Sequence, residues 1–267
     1  MGVLNLTPDS FSDGGAHVSD VEAIEYGLRL LDAGADIIDI GGESTRPGAD
    51  AVDEQTEIAR VAPVVQALAA QGGIVSIDTM KPAVARMALD AGAEIINDVS
   101  GFRDPAMRSI AAESGAGIVI MHMLGTPRTM QLSPNYRDVV SEVSSYLAGQ
   151  ARLCRADGVE PGAVCVDPGI GFGKSIDHNL ELLAGLGEIV ALGHPVLVGA
   201  SRKSFLGRLL DIPVAADRDL ATAIVTAMAV ERGVAVVRVH DVAGSLCAAQ
   251  LAQAIVVAGV ERRERQR

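Results

Sequence analysis

The chain has 267 residues, 49% of them hydrophobic and 21% charged, with a formal net charge of -12. So apolar a composition excludes a disordered chain, and the length suits one large α/β unit. The acidic balance excludes nucleic acid and anionic lipid as partners, because the surface field repels both, so an anionic ligand would need local Arg and Lys.

In chain order, β-branched strand-like runs fall at 3–6, 36–42, 73–78, 94–99, 117–121, 163–167, 195–199 and 234–239. Amphipathic helical stretches follow each of them, near 20–33, 54–70, 82–91, 105–114, 137–157, 178–192, 218–232 and 243–258. Gly34, Gly92, Gly115, Gly158, Gly193 and Gly233 close helices just before the next strand, where a left-handed residue is commonly needed. With 4 Phe, 3 Tyr and no Trp, the core must be built of Ala, Val, Ile and Leu, which suits parallel strands covered on both faces. Eight β/α units form either a closed barrel or a large doubly wound sheet. The second is announced by a GxGxxG turn after the first strand, and none is present. The pattern therefore predicts a single eight-stranded parallel (β/α)8 TIM barrel over 1–260, with a charged, solvated tail at 261–267 extending the last helix.

No basic segment followed by an apolar one opens the chain, so no signal peptide is expected. The apolar segments near 220–230 and 246–258 are too short, or carry Gln250 and Gln253, so no membrane span is expected and the protein is read as cytoplasmic. Cys154, Cys165 and Cys247 lack zinc spacing and are read as buried thiols.

In a β/α barrel, chemistry gathers at the carboxyl ends of the strands. Asn5 ends the first strand; Glu43, Ser44, Thr45 and Arg46 follow the second; Asp78 and Thr79 end the third; Asn97 and Asp98 lie in the fourth. Met121, His122 and Met123 end the fifth, Asp167 the sixth, Ser201 to Ser204 follow the seventh, and Arg238, His240 and Asp241 end the eighth. A lone Asp at a strand end is often only a cap, but polar groups at all eight ends describe a ring. Asp78, Asn97 and Asp167 suit a neutral heterocycle with a guanidine-like edge, whose paired N–H groups meet carboxylate acceptors. Asn5, Arg238 and His240, on strands that become neighbours on closure, suit an anion. A diphosphate fits better than a carboxylate there, with Mg²⁺ held by the Asn5 amide oxygen.

Several residues read as structural. His122 between two Met residues is a packed or loop histidine, and His17, His178 and His194 are surface or loop residues. Glu54 and Glu57 belong to the solvated first turns of a helix. The run 168–175 (PGIGFGKS) resembles a phosphate loop but has Pro168 where that motif needs Gly, and 201–204 (SRKS) lacks the companion motifs of a Ser–Lys nucleophile.

Segments 1–15 (MGVLNLTPDSFSDGG) and 41–48 (GGESTRPG) resemble the two signature segments of bacterial dihydropteroate synthases. Further blocks match in order: SIDTMKP at 76–82, INDVSG at 96–101, MHMLG at 121–125, DPGIGFGK at 167–174, SRKS at 201–204 and RVHD at 238–241. The signature begins at Met1, whereas family members usually carry residues before it that complete the first strand.

The resemblance implies a folate-pathway transferase that joins 7,8-dihydropterin-6-ylmethyl diphosphate to 4-aminobenzoate, with Mg²⁺. Carried over by position, Asp78, Asn97, Met121, Asp167 and Lys203 hold the pterin. Asn5, Arg238 and His240 hold the diphosphate, with Asn5 on the metal. Thr45, Arg46, Pro47, Phe172 and Ser204 shape the aminobenzoate pocket. Asp13, Arg46, Lys203, Arg238 and His240 are the catalytic set, with the loop bearing Asp9, Phe11 and Asp13 closing over the site. The resemblance also implies a homodimer through the last helices and, from an uninterrupted 45–48 stretch, sensitivity to sulfonamides. A methyltetrahydrofolate-dependent methyltransferase is the nearest alternative, but it has no need of a diphosphate site. A non-catalytic pterin-binding paralogue would be expected to lack Asn5, Arg46, Lys203 or Arg238, and all four are present.

Overall fold

The computed structural model describes residues 1–7, 19–45 and 48–266. The strands are β1 (Gly2–Asn5), β2 (Ile37–Gly41), β3 (Ile74–Asp78), β4 (Ile95–Asp98), β5 (Gly117–Met121), β6 (Val164–Asp167), β7 (Leu197–Val198) and β8 (Val236–Val237). The helices are α1 (Asp20–Asp32), α2 (Glu54–Ala70), α3 (Pro82–Asp90), α4 (Pro105–Ser114), α5 (Val139–Ala156), α6 (Ile176–Ala184), α7 (Leu186–Val190), α8 (Ser204–Leu210), α9 (Asp219–Glu231) and α10 (Val242–Arg265).

Strands β1 to β6 pair in parallel in chain order, and β7 pairs with β8. Two bridges, Val166 with Val196 and Gly2 with Val239, join these pieces into one ring. At the seam, Val3 N–H donates to the Val239 carbonyl and Val239 N–H to the Met1 carbonyl, each at 3.0 Å. The expected (β/α)8 barrel is therefore closed, and among the described residues every strand has a neighbour on both sides.

The strands form because β-branched residues dominate them and both faces are covered. Ile38 and Ile40, Ile77, Ile96, Ile118 and Ile120 are fully buried, and they join Val61, Val65 and Leu68 of α2 and Val143 and Leu147 of α5 in one continuous cluster. Asp53, Asp104, Asp138 and Asp241 accept backbone N–H groups at the starts of α2, α4, α5 and α10, each such cap contributing about 1 kcal/mol.

The stretch expected as one helix at 178–192 is two, α6 and α7, broken at Gly185, where a Cβ would come within 2.8 Å of Val140. Helix α8, too short to show a clear period, was not anticipated. Helix α10 continues through Glu261 to Arg265, all exposed. Because it outruns the apolar stretch read from sequence, α10 is long and apolar enough to cross a bilayer, with a mean hydropathy of 1.6; in the fold it packs along α9. Cys154 is buried and Cys165 half-buried, but Cys247 is exposed on the outer side of α10, against the buried reading.

Candidate active site

Register places the site. Asn5 of β1 lies beside Gly41 of β2, Gly41 beside Asp78 of β3, and Asp78 beside Asn97 of β4. Gly41 brings no side chain, so its place in that row stays open. A Cβ there would sit 3.6 Å from Asn5 Oδ1 and 3.7 Å from Asp78 Oδ2. Met121 lies beside Asp167 on the other side of the ring.

Behind this row stands Asp39, fully buried in β2. Its Oδ2 accepts from Asn97 Nδ2 at 3.0 Å and from Arg238 Nε at 2.5 Å. Arg238 Nη2 also donates to Asp78 Oδ2 at 2.8 Å. Asp39 was missed in the sequence. Its signal was a carboxylate inside the apolar run IIDIG, since a charge buried in a strand covered on both faces needs a partner. Asp39 Oδ1 and Asp78 Oδ1 are buried with no hydrogen-bond partner among the described residues. Buried acceptors are normally satisfied, so two spare oxygens on the adjacent strands β2 and β3 are candidate places for ligand N–H groups.

Burial pushes the Asp78 carboxyl up to about 7 against the pull of Arg238, with Asp39 adding to the rise. Asp167 is pushed up to about 6 by burial, opposed by the Gly169 N–H, which donates to its Oδ1 at 2.7 Å, and by Lys203. Burial and then Arg238 bring Lys203 down to about 8, opposed by Asp167 and Asp78.

His240 is held by Ser201. The hydroxyl accepts the His240 backbone N–H at 3.1 Å and lies 2.9 Å from Nδ1. This pair of contacts fixes the ring with Nδ1 engaged by Ser201 and Nε2 left for a ligand. Burial, then Arg238, Arg202 and Lys203, push His240 down to about 3, so the imidazole is neutral. The positive charge of the site comes from Arg238 and Lys203, not from a histidinium.

Lys203 and Ser204 are presented by a clamped loop. Arg202, between Ser201 and Lys203, has φ +58, a left-handed conformation that costs a bulky residue about 1 kcal/mol or more. It is held there by two 2.7 Å bonds from its guanidinium to Asp219 and by Arg218 Nη1, which donates to its carbonyl at 2.9 Å. Lys203 Nζ lies 3.9 Å from the centre of the Phe172 ring, a cation–π contact. Phe172 in turn packs against the small apolar cluster formed by Val99, Met121, Met123 and Met130.

The fold thus brings together Asn5, Asp78, Asn97, Met121, Asp167, Phe172, Lys203, Arg238 and His240. Thr45 is half-buried at the end of a described segment, and Ser204 opens α8. Asp9, Phe11, Asp13, Arg46 and Pro47 lie outside the described residues.

Two readings are corrected. Glu57, expected in a solvated turn, is buried. It accepts from Thr79 Oγ1 at 2.7 Å and from Lys81 Nζ, which also pairs with Glu43. The first turn of α2 rests on the loop after β3, so its inner face sees protein rather than water; Glu54 is exposed as expected. His178, expected as a surface or loop residue, is half-buried and completes the cap of α6, accepting the Ser175 N–H on Nδ1 at 3.2 Å. Asp98 accepts from Ser100 and Phe102 and braces a turn. His122 packs edge-on against Tyr146, centroids 4.9 Å apart, as a structural histidine would.

Among the described residues no group of three or more His, Cys, Asp or Glu could hold a metal. Asn5 Oδ1, turned to the open place above Gly41, is a hard oxygen donor. Mg²⁺ typically takes one or two protein oxygens and completes its shell with water and substrate phosphate, so this donor fits a substrate-bridging ion and not a caged one.

A family model described as pterin binding enzyme matches residues 1–240. The chain belongs to the pterin-binding enzymes and, by the likenesses that follow, to their dihydropteroate synthase family. It is 48% identical to the dihydropteroate synthase of Mycobacterium leprae, over 97% of this chain and 94% of that one. It superposes on the Yersinia pestis dihydropteroate synthase, solved with a sulfonamide drug complex, with a TM-score of 0.91 at 42% identity, covering 96% of this chain and 93% of that one. The Xanthomonas albilineans enzyme, solved in complex with 7,8-dihydropteroate, matches with a TM-score of 0.86 at 40% identity, covering 95% and 92%.

Proposed function

We infer that the chain is a dihydropteroate synthase, transferring the 7,8-dihydropterin-6-ylmethyl group from its diphosphate to the amine of 4-aminobenzoate. The observation that carries this is the pairing of two environments in one barrel mouth. Spare buried carboxylate oxygens at Asp39 and Asp78, with Asn97 and Asp167, stand at the carboxyl ends of the strands together with the cations Arg238 and Lys203. A neutral ring with several N–H donors and an anionic leaving group needs both.

In this reading Asp78, Asn97, Met121, Asp167 and Lys203 hold the pterin, while Arg238, His240 and Asn5 hold the diphosphate. Thr45, Phe172 and Ser204 are assigned to aminobenzoate with Arg46 and Pro47, and Asp13 and Arg46 to the catalytic set; Asp13, Arg46 and Pro47 lie outside the described residues. Asn5 would hold Mg²⁺ through its amide oxygen, and the bound ion would supply neutralising charge for the leaving group.

Arg238 moves from Asp78 to the diphosphate, which frees Asp78 Oδ2 for the pterin and carries positive charge to where negative charge develops. His240 donates its Nε2–H to the same oxygens. The carbon–oxygen bond breaks with its electron pair leaving on diphosphate, and the electron-rich dihydropterin ring stabilises the methylene cation. The amine attacks, the carbon–nitrogen bond forms, and the nitrogen then loses a proton. No protein nucleophile is required, and exclusion of water protects the cation.

A homodimer is part of this proposal. Leu220, Ile224 and Met228 recur every four residues on α9, and Leu251 and Ile255 do so on α10; all are exposed. An apolar stripe across two packed helices suits a second copy of the chain. A cytoplasmic location is proposed as the natural one for a biosynthetic enzyme of soluble substrates.

Purified protein incubated with the pterin diphosphate, Mg²⁺ and labelled 4-aminobenzoate should form labelled dihydropteroate, and Arg238→Ala should lose at least roughly a hundredfold in rate. Pterin binding without product, followed by methyl transfer from methyltetrahydrofolate, would replace the synthase reading with the methyltransferase.

A further inference from the structure

The loop after β6 carries a buried cation that the proposed chemistry does not use. Lys174 is only 4% exposed. Its Nζ reaches His122 Nδ1 at 3.0 Å, the His122 carbonyl at 3.4 Å and the Phe172 carbonyl at 3.0 Å. Three acceptors match the three N–H donors of an ammonium. Burial, then the charge of Lys174, pushes His122 down to about 3, so its ring is neutral; opposite an ammonium, which can only donate, Nδ1 accepts. Burial brings Lys174 itself down to about 7, with Asp167 opposing.

The loops after β5 and β6 lie unusually close here. Gly169, at φ +67, passes the His122 carbonyl so closely that a Cβ would overlap that oxygen. Gly173, at φ +65, would put a Cβ 2.7 Å from Leu124 Cβ. Between them the backbone is pinned on each side of Phe172. Asn179 accepts the Gly171 N–H at 2.6 Å, Gln131 donates to the Gly171 carbonyl at 2.8 Å, and Tyr136 donates to the Gly173 carbonyl at 2.9 Å. The Phe172 carbonyl, between these points, is held by Lys174.

We propose that Lys174 is a positioning residue for the aromatic amine substrate: by tying the Phe172 main chain to the His122 loop, it fixes the Phe172 ring over Lys203 at the wall of the aminobenzoate pocket. The substrate it serves rests on the synthase reading; the ring it positions does not. The ring must stand where it meets Lys203 on one side and a planar co-substrate on the other. A loop free to shift would weaken that co-substrate's binding and leave pterin contacts from Asp78 and Asn97, on β3 and β4, in place.

The chain has no Trp, so Phe172→Trp installs a single fluorophore that reports the ring without turnover. Adding Lys174→Met to it should shift the emission to the red and increase collisional quenching by acrylamide; unchanged emission and quenching would overturn the proposal, whatever the enzyme's activity. In the Phe172 background, Lys174→Met should raise KM for 4-aminobenzoate roughly tenfold or more, with kcat at saturation and the affinity for 6-hydroxymethyl-7,8-dihydropterin nearly unchanged. A parallel loss of pterin affinity, or an unchanged KM, would mark Lys174 as merely structural. Should Lys174→Met not fold, the His122 pair decides. His122→Asn retains an acceptor near Nδ1 and should keep the low KM, whereas His122→Leu should raise it; equal values for both would overturn the proposal.

Discussion

Arg238, directly after β8, reaches over β1 to the buried carboxylate of Asp39 in β2, its Nε 2.5 Å from Asp39 Oδ2. The same oxygen accepts from Asn97, so one buried carboxylate orients a residue proposed for the pterin and one proposed for the diphosphate. Removing one partner of a buried ion pair is expensive, about 3–5 kcal/mol, because the other charge is left unpaired. Asp39→Ala should therefore lower stability by about that much in urea unfolding and abolish turnover. Asp39→Asn should fold better, because one amide oxygen can still accept from both donors, but bind pterin more weakly, since it loses the charge opposite Arg238 and puts an amide N–H where the spare Oδ1 acceptor stood. Wild-type pterin affinity in Asp39→Asn would show that Asp39 serves packing only.

Acidity should act in opposite directions on folding and on binding. Asp78 and Asp167 have folded values of about 7 and about 6, raised by burial from 3.8. A group raised in the folded state contributes stability that is full below its unfolded value and lost as pH rises through its folded value. The contribution of Asp78 and Asp167 to the stability of the ligand-free protein should thus grow as pH falls from 7 towards 5, while pterin affinity falls as these acceptors protonate. It is opposed by His122 and His240, whose folded values are lowered to about 3, so that the fold holds them neutral. Thermal melts of the wild type and Asp78→Asn across that range isolate the carboxyl part: the variant should lose melting temperature relative to the wild type as pH falls, and its pterin affinity, by calorimetric titration, should depend less on pH.

Glu57 depends on Lys81. The carboxylate is 1% exposed, so Lys81→Met should destabilise the fold by about 3 kcal/mol. It should also loosen the loop from Glu43 to Thr45, raising KM for 4-aminobenzoate. The double variant Lys81→Met/Glu57→Gln should recover part of the stability, because the orphaned charge is gone; no recovery would refute the ion-pair argument.

Sedimentation velocity should find a dimer, and Ile224→Glu with Leu251→Glu a monomer that retains its melting cooperativity. A wild-type monomer at micromolar concentration would remove the homodimer from the proposal.

A sulfonamide should compete with 4-aminobenzoate, raising its apparent KM without lowering the rate at saturation. The Phe172 ring supplies one wall of the proposed pocket, so Phe172→Ala should weaken inhibitor and substrate together. Inhibition insensitive to 4-aminobenzoate would place the drug elsewhere.

The barrel and most of its polar ring were legible in the chain because they rest on local signals. Ile-rich runs such as IIDIG and GIVIM form strands wherever both faces are covered, glycines such as Gly34 and Gly92 mark helix ends, and the strand ends locate Asn5, Asp78, Asn97, Asp167 and Arg238. Composition excluded a disordered chain, and eight ordered motifs identified the family. What needed the tertiary structure was every feature that depends on a partner distant in sequence. Asp39 becomes a hub only when Arg238, 199 residues away, folds over β1. Glu57 is buried only because α2 rests on the loop bearing Thr79 and Lys81, and Lys174 becomes a tie only where the β6 loop crosses His122. His240 is neutral because closure surrounds it with protein and with Arg238. A residue's own sequence neighbourhood records its tendency to be strand, helix or cap; its charge state and its bonds are set by the dielectric and the partners that closure of the barrel supplies.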